Sequence, residues 1–164
     1  MIITISGTPG SGKSTVAKIL AHKLGYNHYS TGDFMRDIAK KRGLSLEEIG
    51  EVAKTDTSID KELDEHQRKL GQSEDNFVID GRLSFYFIPQ SVKVFIDANI
   101  TARAERIFRD VKQGLRKEEQ ATTIKEMMAK LEKRRKVEME RYAQYYNIHH
   151  PYDRENYNLI VDTS

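Results

Sequence analysis

The sequence predicts an α/β fold built on a doubly wound parallel sheet, and three observations carry that prediction. Short runs rich in β-branched residues stand at 2–5, 77–79, 92–96 and 159–161, the pattern of strands buried on both faces. Helical patterns separate most of these runs, and strand–helix alternation favours parallel strands joined by crossovers. A glycine-rich loop links the first run directly to the first helical pattern.

Taken in order, residues 2–5 form the first strand, and Val16, Ala17, Leu20, Ala21 and Leu24 mark the first helix. A weaker strand candidate lies at 26–30, followed by Ser30-Thr31-Gly32-Asp33, a turn that opens a second helix. Ser45 with Glu48 makes a capping box before Leu46, Ile49, Val52 and Ala53. Thr57 with Asp60 makes a similar start before Ile59, Leu63 and Leu70. After the strands at 77–79 and 92–96, Ala121, Ile124, Met128 and Leu131 begin a long helical pattern reaching Tyr142 and Tyr145, and 159–161 is the last strand. The chain shows no repeat, low-complexity tract or linker, so one domain over 1–164 is expected.

Composition narrows the function. The 164 residues contain 27 Lys and Arg against 25 Asp and Glu, a balance that does not predict a nucleic-acid partner. The absence of cysteine excludes a disulfide framework, a thiolate zinc site, an iron–sulfur cluster and a cysteine nucleophile, and fits a cytoplasmic setting. The start Met-Ile-Ile-Thr-Ile has no basic segment, long apolar run or cleavage site, so neither export nor a membrane partner is expected.

Gly7-Thr8-Pro9-Gly10-Ser11-Gly12-Lys13-Ser14, followed by Thr15, is a complete G-x-x-x-x-G-K-[ST] loop between a strand and a helix, the context this motif requires. Its glycines let backbone N–H groups turn toward phosphate oxygens, and the helix N-terminus adds partial positive charge. Lys13 is expected on the β- and γ-phosphates of ATP and the Ser14 hydroxyl on Mg²⁺. No N-K-x-D or D-x-x-G motif of a guanine-specific switch occurs, and motor ATPases need more chain than follows here. A compact phosphotransferase fits best.

Two further segments supply an acceptor side. Arg36, in the helix opened by Ser30, offers a planar fork to a phosphate. Asp80-Gly81-Arg82-Leu83 stands at the C-terminal end of a buried strand, the edge where open α/β sheets bind ligands. There Asp80 is a candidate to reach Mg²⁺ through a water, and Arg82 a second contact to the acceptor phosphate.

Ser30-Thr31-Gly32-Asp33 with Arg36 resembles the nucleoside-monophosphate kinases. The wider pattern is most similar to cytidylate kinases of the short archaeal type, through the phosphate loop, residues 60–67, Asp80 to Leu83, residues 103–107, Arg141-Tyr142 and the closing Val161-Asp162-Thr163-Ser164. The resemblance implies a P-loop kinase with a five-stranded parallel sheet and helices on both faces. It also implies a monophosphate-binding region over about residues 30–75, a small lid at 109–120, and transfer of the ATP γ-phosphoryl group to CMP or dCMP. Bacterial relatives carry G-R-D where this chain has Gly81-Arg82-Leu83, and Leu83 has no hydrogen-bonding group with which to read cytosine. That task then falls to Asp60, Asp64, Gln67 or Arg68. Relatives also usually continue into a further helix after the last strand.

Between Arg103 and Arg141 there are 13 basic residues against 8 acidic ones. Arg103, Arg106 and Arg109 recur every third residue and are expected to gather toward one helix side. They resemble the start of a kinase lid, with Arg106 against the donor base or phosphates and Arg109 against the phosphate tail. Arg134, Glu138 and Arg141 share one helix face by spacing and match three positions of the R-D-x-x-D-x-x-R pattern, Arg135 departing at the second. The resemblance puts Arg134 and Arg141 on phosphates and Glu138 on the acceptor ribose; an internal Arg–Glu–Arg ion network is the alternative. ATP and a nucleoside monophosphate are therefore the expected partners of a monomeric enzyme. Two other readings stay open here, an adenylate kinase-like or other small P-loop kinase, and a nucleotide-dependent RNA-binding factor using the basic helix.

Overall fold

β1 (Ile2–Gly7) is buried at every position, the small polar Thr4 and Ser6 along with its three isoleucines. In the computed structural model, which describes residues 1–44, 46–53, 55–116 and 121–164, β1 is followed by α1 (Lys13–Leu24), β2 (Asn27–Ser30), α2 (Thr31–Lys41), α3 (Leu46–Val52), α4 (Thr57–Ser73) and β3 (Phe77–Asp80). Next come α5 (Ser84–Phe87), β4 (Val92–Asp97), α6 (Ile100–Lys112), α7 (Ile124–Tyr146) and β5 (Leu159–Asp162). Ser45, to which the sequence assigns a cap, and residues 117–120 of the expected lid lie outside the described residues.

The five strands make one parallel sheet in the order β2-β3-β1-β4-β5, with helices on both faces. Strand order reverses at β1, and the phosphate loop leaves the carboxyl end of that strand. The edge strands β2 and β5 contain no fully buried residue, and β5 leaves Leu159 and Val161 exposed. An edge strand has a neighbour on one side only, and these two carry the less buried patterns.

The chain divides into two compact units, one of Met1–Ser6 with Ser14–Lys93 and the other of Gly7–Lys13 with Val94–Ser164. In the first, Ile2, Phe34, Leu70, Phe77, Ile79 and Ile88 form a core against which Tyr29 and Leu63 pack. A second cluster, Ile38, Ala39, Ile49, Ala53 and Ile59, holds α2, α3 and α4 together. Arg42, at the end of α2, bridges to Asp56 at 3.1 Å, Ser58 at 3.1 Å and Glu62 at 3.4 Å, which ties α2 to the start of α4. In the second unit Ala104 and Ile107 of α6 interlock with Met127 and Leu131 of α7.

Two helix starts differ from expectation. Asp56, and not Thr57, caps α4: its carboxylate accepts from the Ser58 N–H at 2.9 Å. An aspartate in extended backbone both caps and complements the helix dipole, so it takes the position ahead of the threonine. Asp60, expected in the capping turn, is buried on the inner face of α4. The long helix begins at Ile124, because Thr123 caps it by accepting from the Glu126 N–H at 3.1 Å.

Glu126 in turn accepts from the Thr122 N–H at 2.8 Å, and this bond, with Lys130 and the Thr122 hydroxyl, lowers its carboxyl to about 2 from an ordinary 4.5. A depressed folded value means that the stabilisation is complete above the ordinary carboxylate range and is lost as the pH falls through about 2. The Thr122 amide resonance should therefore titrate with a midpoint near 2 in an NMR series. A midpoint near the ordinary value would show that the cap is not formed.

Candidate active site

The phosphate loop is shaped by its glycines. Gly10 and Gly12 have φ of +82° and +88°, the left-handed region that side chains disfavour. A Cβ on Gly10 would also meet the Arg103 carbonyl oxygen at 2.8 Å. Ser11 N–H closes a turn onto the Thr8 carbonyl at 3.1 Å. The outward side of the loop is held within the second unit: Thr163 Oγ1 donates to the Ser11 carbonyl at 2.9 Å, and Arg106 Nη1 reaches the Gly10 and Ser11 carbonyls at 3.5 Å. These contacts fix the turn at Gly10 and Ser11. The first turn of α1 carries no acid of its own, so the positive end of the helix dipole meets no opposing charge from within the helix.

Ser14 belongs to the first unit. Its Oγ donates to Asp80 Oδ2 at 2.7 Å. Asp80 is 3% exposed, and also accepts from His28 Nε2 at 2.7 Å and from Ser30 Oγ at 3.3 Å. Ser14, Ser30 and Asp80 thus gather hydroxyl and carboxylate oxygens, the donor type preferred by a hard divalent cation. Among the described residues no group of three or more His, Cys, Asp or Glu could hold a metal by itself. This set therefore fits Mg²⁺ held jointly by nucleotide phosphates, water and one or two protein oxygens, and does not fit a metal caged by protein.

Asp60, Asp64 and Gln67 lie on one stripe of α4 and are all buried, at 6%, 6% and 3% exposure. Ser84 Oγ donates to Gln67 Oε1 at 2.8 Å and fixes the carboxamide. Leu83, directly before α5, is buried too. Gly81 is required by close approach, since a Cβ there would meet Ser84 Oγ and Thr31 Cγ2 at 2.3 Å. Arg82 is half-buried, whereas Arg36 is exposed and paired with Asp33 one turn earlier in the chain. Arg68 is exposed and lies over the Phe87 ring at 4.8 Å, one helical turn after Asp64.

In the second unit the three arginines of α6 do not share a side. A spacing of three falls about 60° short of a full turn, so Arg103 is buried with Nε on the Ala98 carbonyl at 3.0 Å, Arg106 is half-buried, and Arg109 is exposed. Burial lowers the Arg103 pKa. Arg106 also donates to Thr163 Oγ1 at 3.2 Å and to the Thr163 carbonyl. On α7, Arg134 Nε pairs with Glu138 Oε1 at 3.1 Å, which forms one arm of the expected ion network, and Arg141 is half-buried one turn on. Arg135, outside that trio, lies over the Tyr152 ring at 5.4 Å.

Known proteins share this chain's sequence and fold. The cytidylate kinase-like family matches residues 2–164. A cytidylate kinase of Natronomonas pharaonis is 40% identical over 166 aligned residues, covering 100% of this chain and 81% of the relative. A cytidylate kinase of Methanocella arvoryzae is 37% identical, covering 100% and 88%. Among solved structures, an uncharacterized protein of Eubacterium ventriosum superposes with TM-score 0.70 at 20% identity, over 99% of this chain and 88% of that one. A shikimate kinase of Bacteroides thetaiotaomicron does so with TM-score 0.65 at 16% identity, over 99% and 85%. These structural likenesses concern the fold, while the sequence match runs through every loop that carries the site: the chain belongs to the cytidylate kinase-like family.

Proposed function

We propose that the protein transfers the γ-phosphoryl group of ATP to CMP or dCMP, giving ADP and the diphosphate, as a monomeric enzyme of the cytoplasm. The observation that carries this reading is the Ser14–Asp80 contact at 2.7 Å. It joins a complete phosphate loop to an acidic strand end in a chain whose full length matches cytidylate kinases. Among the described residues no helix is long and apolar enough to cross a membrane.

In-line phosphoryl transfer asks the protein for alignment and for positive charge around the equatorial oxygens. The loop N–H groups and Lys13 bind the donor phosphates. Mg²⁺, when bound with the nucleotide, neutralises charge on the β- and γ-oxygens, and Ser14 and Asp80 are the residues that would hold it. Arg36 and Arg82 take the acceptor phosphate, and Arg109, Arg134 and Arg141 are further sources of positive charge. Arg106 maintains the shape of the loop through Gly10, Ser11 and Thr163 in addition to any contact with the donor. The acceptor phosphate is already ionised near neutral pH, so no strong general base is needed.

The test is acceptor-dependent ADP formation with CMP, dCMP, UMP, AMP, GMP, shikimate and dephospho-CoA, in the wild type and in Arg36→Lys and Arg82→Lys. Lysine cannot reproduce the bidentate fork, so both variants should raise KM for CMP by about tenfold and leave KM for ATP unchanged. A rise in KM for ATP alone would reverse the donor and acceptor sides. Shikimate as the leading acceptor would replace the reading altogether.

A further inference from the structure

His28 lies outside the phosphate loop and outside every motif in the sequence, yet its ring touches the carboxylate that faces the loop. β2 pairs with β3 in parallel register, His28 opposite Val78 and Ser30 opposite Asp80. Side chains alternate along a strand, so His28, Ser30 and Asp80 share one face of the sheet. Tyr29, between them, turns to the opposite face and packs edge-on against Phe77 at 5.5 Å. Two alternate residues of β2 thereby reach one carboxylate on β3. His28 Nε2–H donates to Oδ1 at 2.7 Å, while Ser14 at 2.7 Å and Ser30 at 3.3 Å donate to Oδ2.

We propose that His28 is a positioning residue for the metal–nucleotide complex: by holding Oδ1 it fixes the Asp80 carboxylate so that Oδ2 is aimed at the Ser14 hydroxyl. A carboxylate with one oxygen anchored cannot rotate about its last bond without breaking a charge-assisted hydrogen bond. The anchor is shielded from water, because the Asp80 and His28 side chains are only 4% and 18% exposed. Without it, Asp80 would have only hydroxyl partners among these three contacts, and both hydroxyls lie on the Oδ2 side. Groups that orient a metal partner in this way typically contribute about ten- to a hundredfold to metal affinity. The proposal rests on the reading of the loop as an Mg²⁺–ATP site.

The experiment compares wild type with His28→Gln, which can still reach Oδ1 with an N–H, and with His28→Asn, whose amide is too short. His28→Phe, which fills the ring volume without a donor, is a second loss variant in case Asn impairs folding. Binding of a non-hydrolysable ATP analogue is measured by calorimetry with and without Mg²⁺, alongside the Mg²⁺ concentration giving half-maximal CMP phosphorylation and the thermal midpoint. In His28→Asn and His28→Phe the metal-dependent gain in analogue affinity should fall by about tenfold and the half-maximal Mg²⁺ concentration should rise to match. Metal-free affinity and KM for CMP should stay put, and His28→Gln should restore the wild-type metal response. If the loss variants keep the full metal-dependent gain, or change only the thermal midpoint, His28 merely satisfies a buried carboxylate and the proposal is wrong. A wild type in which Mg²⁺ gives no gain at all would overturn the Mg²⁺–ATP reading and the proposal together.

Discussion

Lys13→Ala should abolish phosphoryl transfer while leaving the fold in place. The residue stands at the first position of α1, whose buried residues are Ala17 and Ala21, so its side chain is not needed to fill the core. In the proposed reaction its ammonium is a compact point charge that meets the donor phosphates as charge redistributes between donor and acceptor. Loss of one preorganised charge contact of this kind typically costs about a hundredfold or more in kcat. Steady-state kinetics at saturating ATP and CMP, with urea denaturation as the control for folding, decide the matter. A variant that keeps more than about a tenth of the wild-type kcat would contradict the assigned role.

Base choice should show the largest effect of all. The buried stripe of Asp60, Asp64 and Gln67 offers two carboxylates and a carboxamide whose oxygen is committed to Ser84. Such a surface can accept from an exocyclic amine and donate to a ring carbonyl or nitrogen, the pattern that cytosine presents. Adenine shares the amine and the ring nitrogen but lacks the 2-carbonyl and carries a second ring, so it leaves desolvated polar groups unpaired, a penalty of up to about 10⁴-fold in kcat/KM, whereas uracil keeps the 2-carbonyl and the single ring. CMP and dCMP are expected to lead, UMP to be tolerated, and AMP and GMP to be poor, with kcat/KM measured for each by chromatographic separation of the nucleotides. The sugar should matter little, since one ribose hydroxyl beside Glu138 contributes on the order of 1 kcal/mol when partly exposed. If AMP exceeds CMP, the stripe on α4 does not read cytosine and the enzyme is adenylate kinase-like.

Much of the fold and the donor half of the site were legible in the sequence because they depend on local pattern. β1, β3 and β4 are central in the sheet order, so their apolar runs are dense, and the phosphate loop is a contiguous motif whose glycines are fixed by backbone geometry. β2 was faint because an edge strand with partly exposed residues carries no dense run. α5 left no signal, since its four residues are too few for a helical period to show. The arginines of α6 mislead a reader of spacing, because a repeat of three rotates steadily around a helix and separates Arg103 from Arg109. His28 was invisible for a different reason: its contact with Asp80 spans 52 positions and follows from the pairing register of β2 with β3, which no local pattern encodes. The cap at Asp56 was within reach of sequence reasoning, as an acid directly before a threonine competes for the same position.

Phosphorus NMR of the wild-type enzyme incubated with Mg²⁺–ATP and excess CMP tests the central claim most directly, because it identifies both the bond broken and the bond made. Transfer to the CMP phosphate predicts that the paired resonances of CDP and ADP grow together in equal amounts as the ATP signals decline, with no orthophosphate beyond that of an enzyme-free control. Orthophosphate and ADP accumulating without CDP, or ATP persisting unchanged in the presence of CMP, would contradict it.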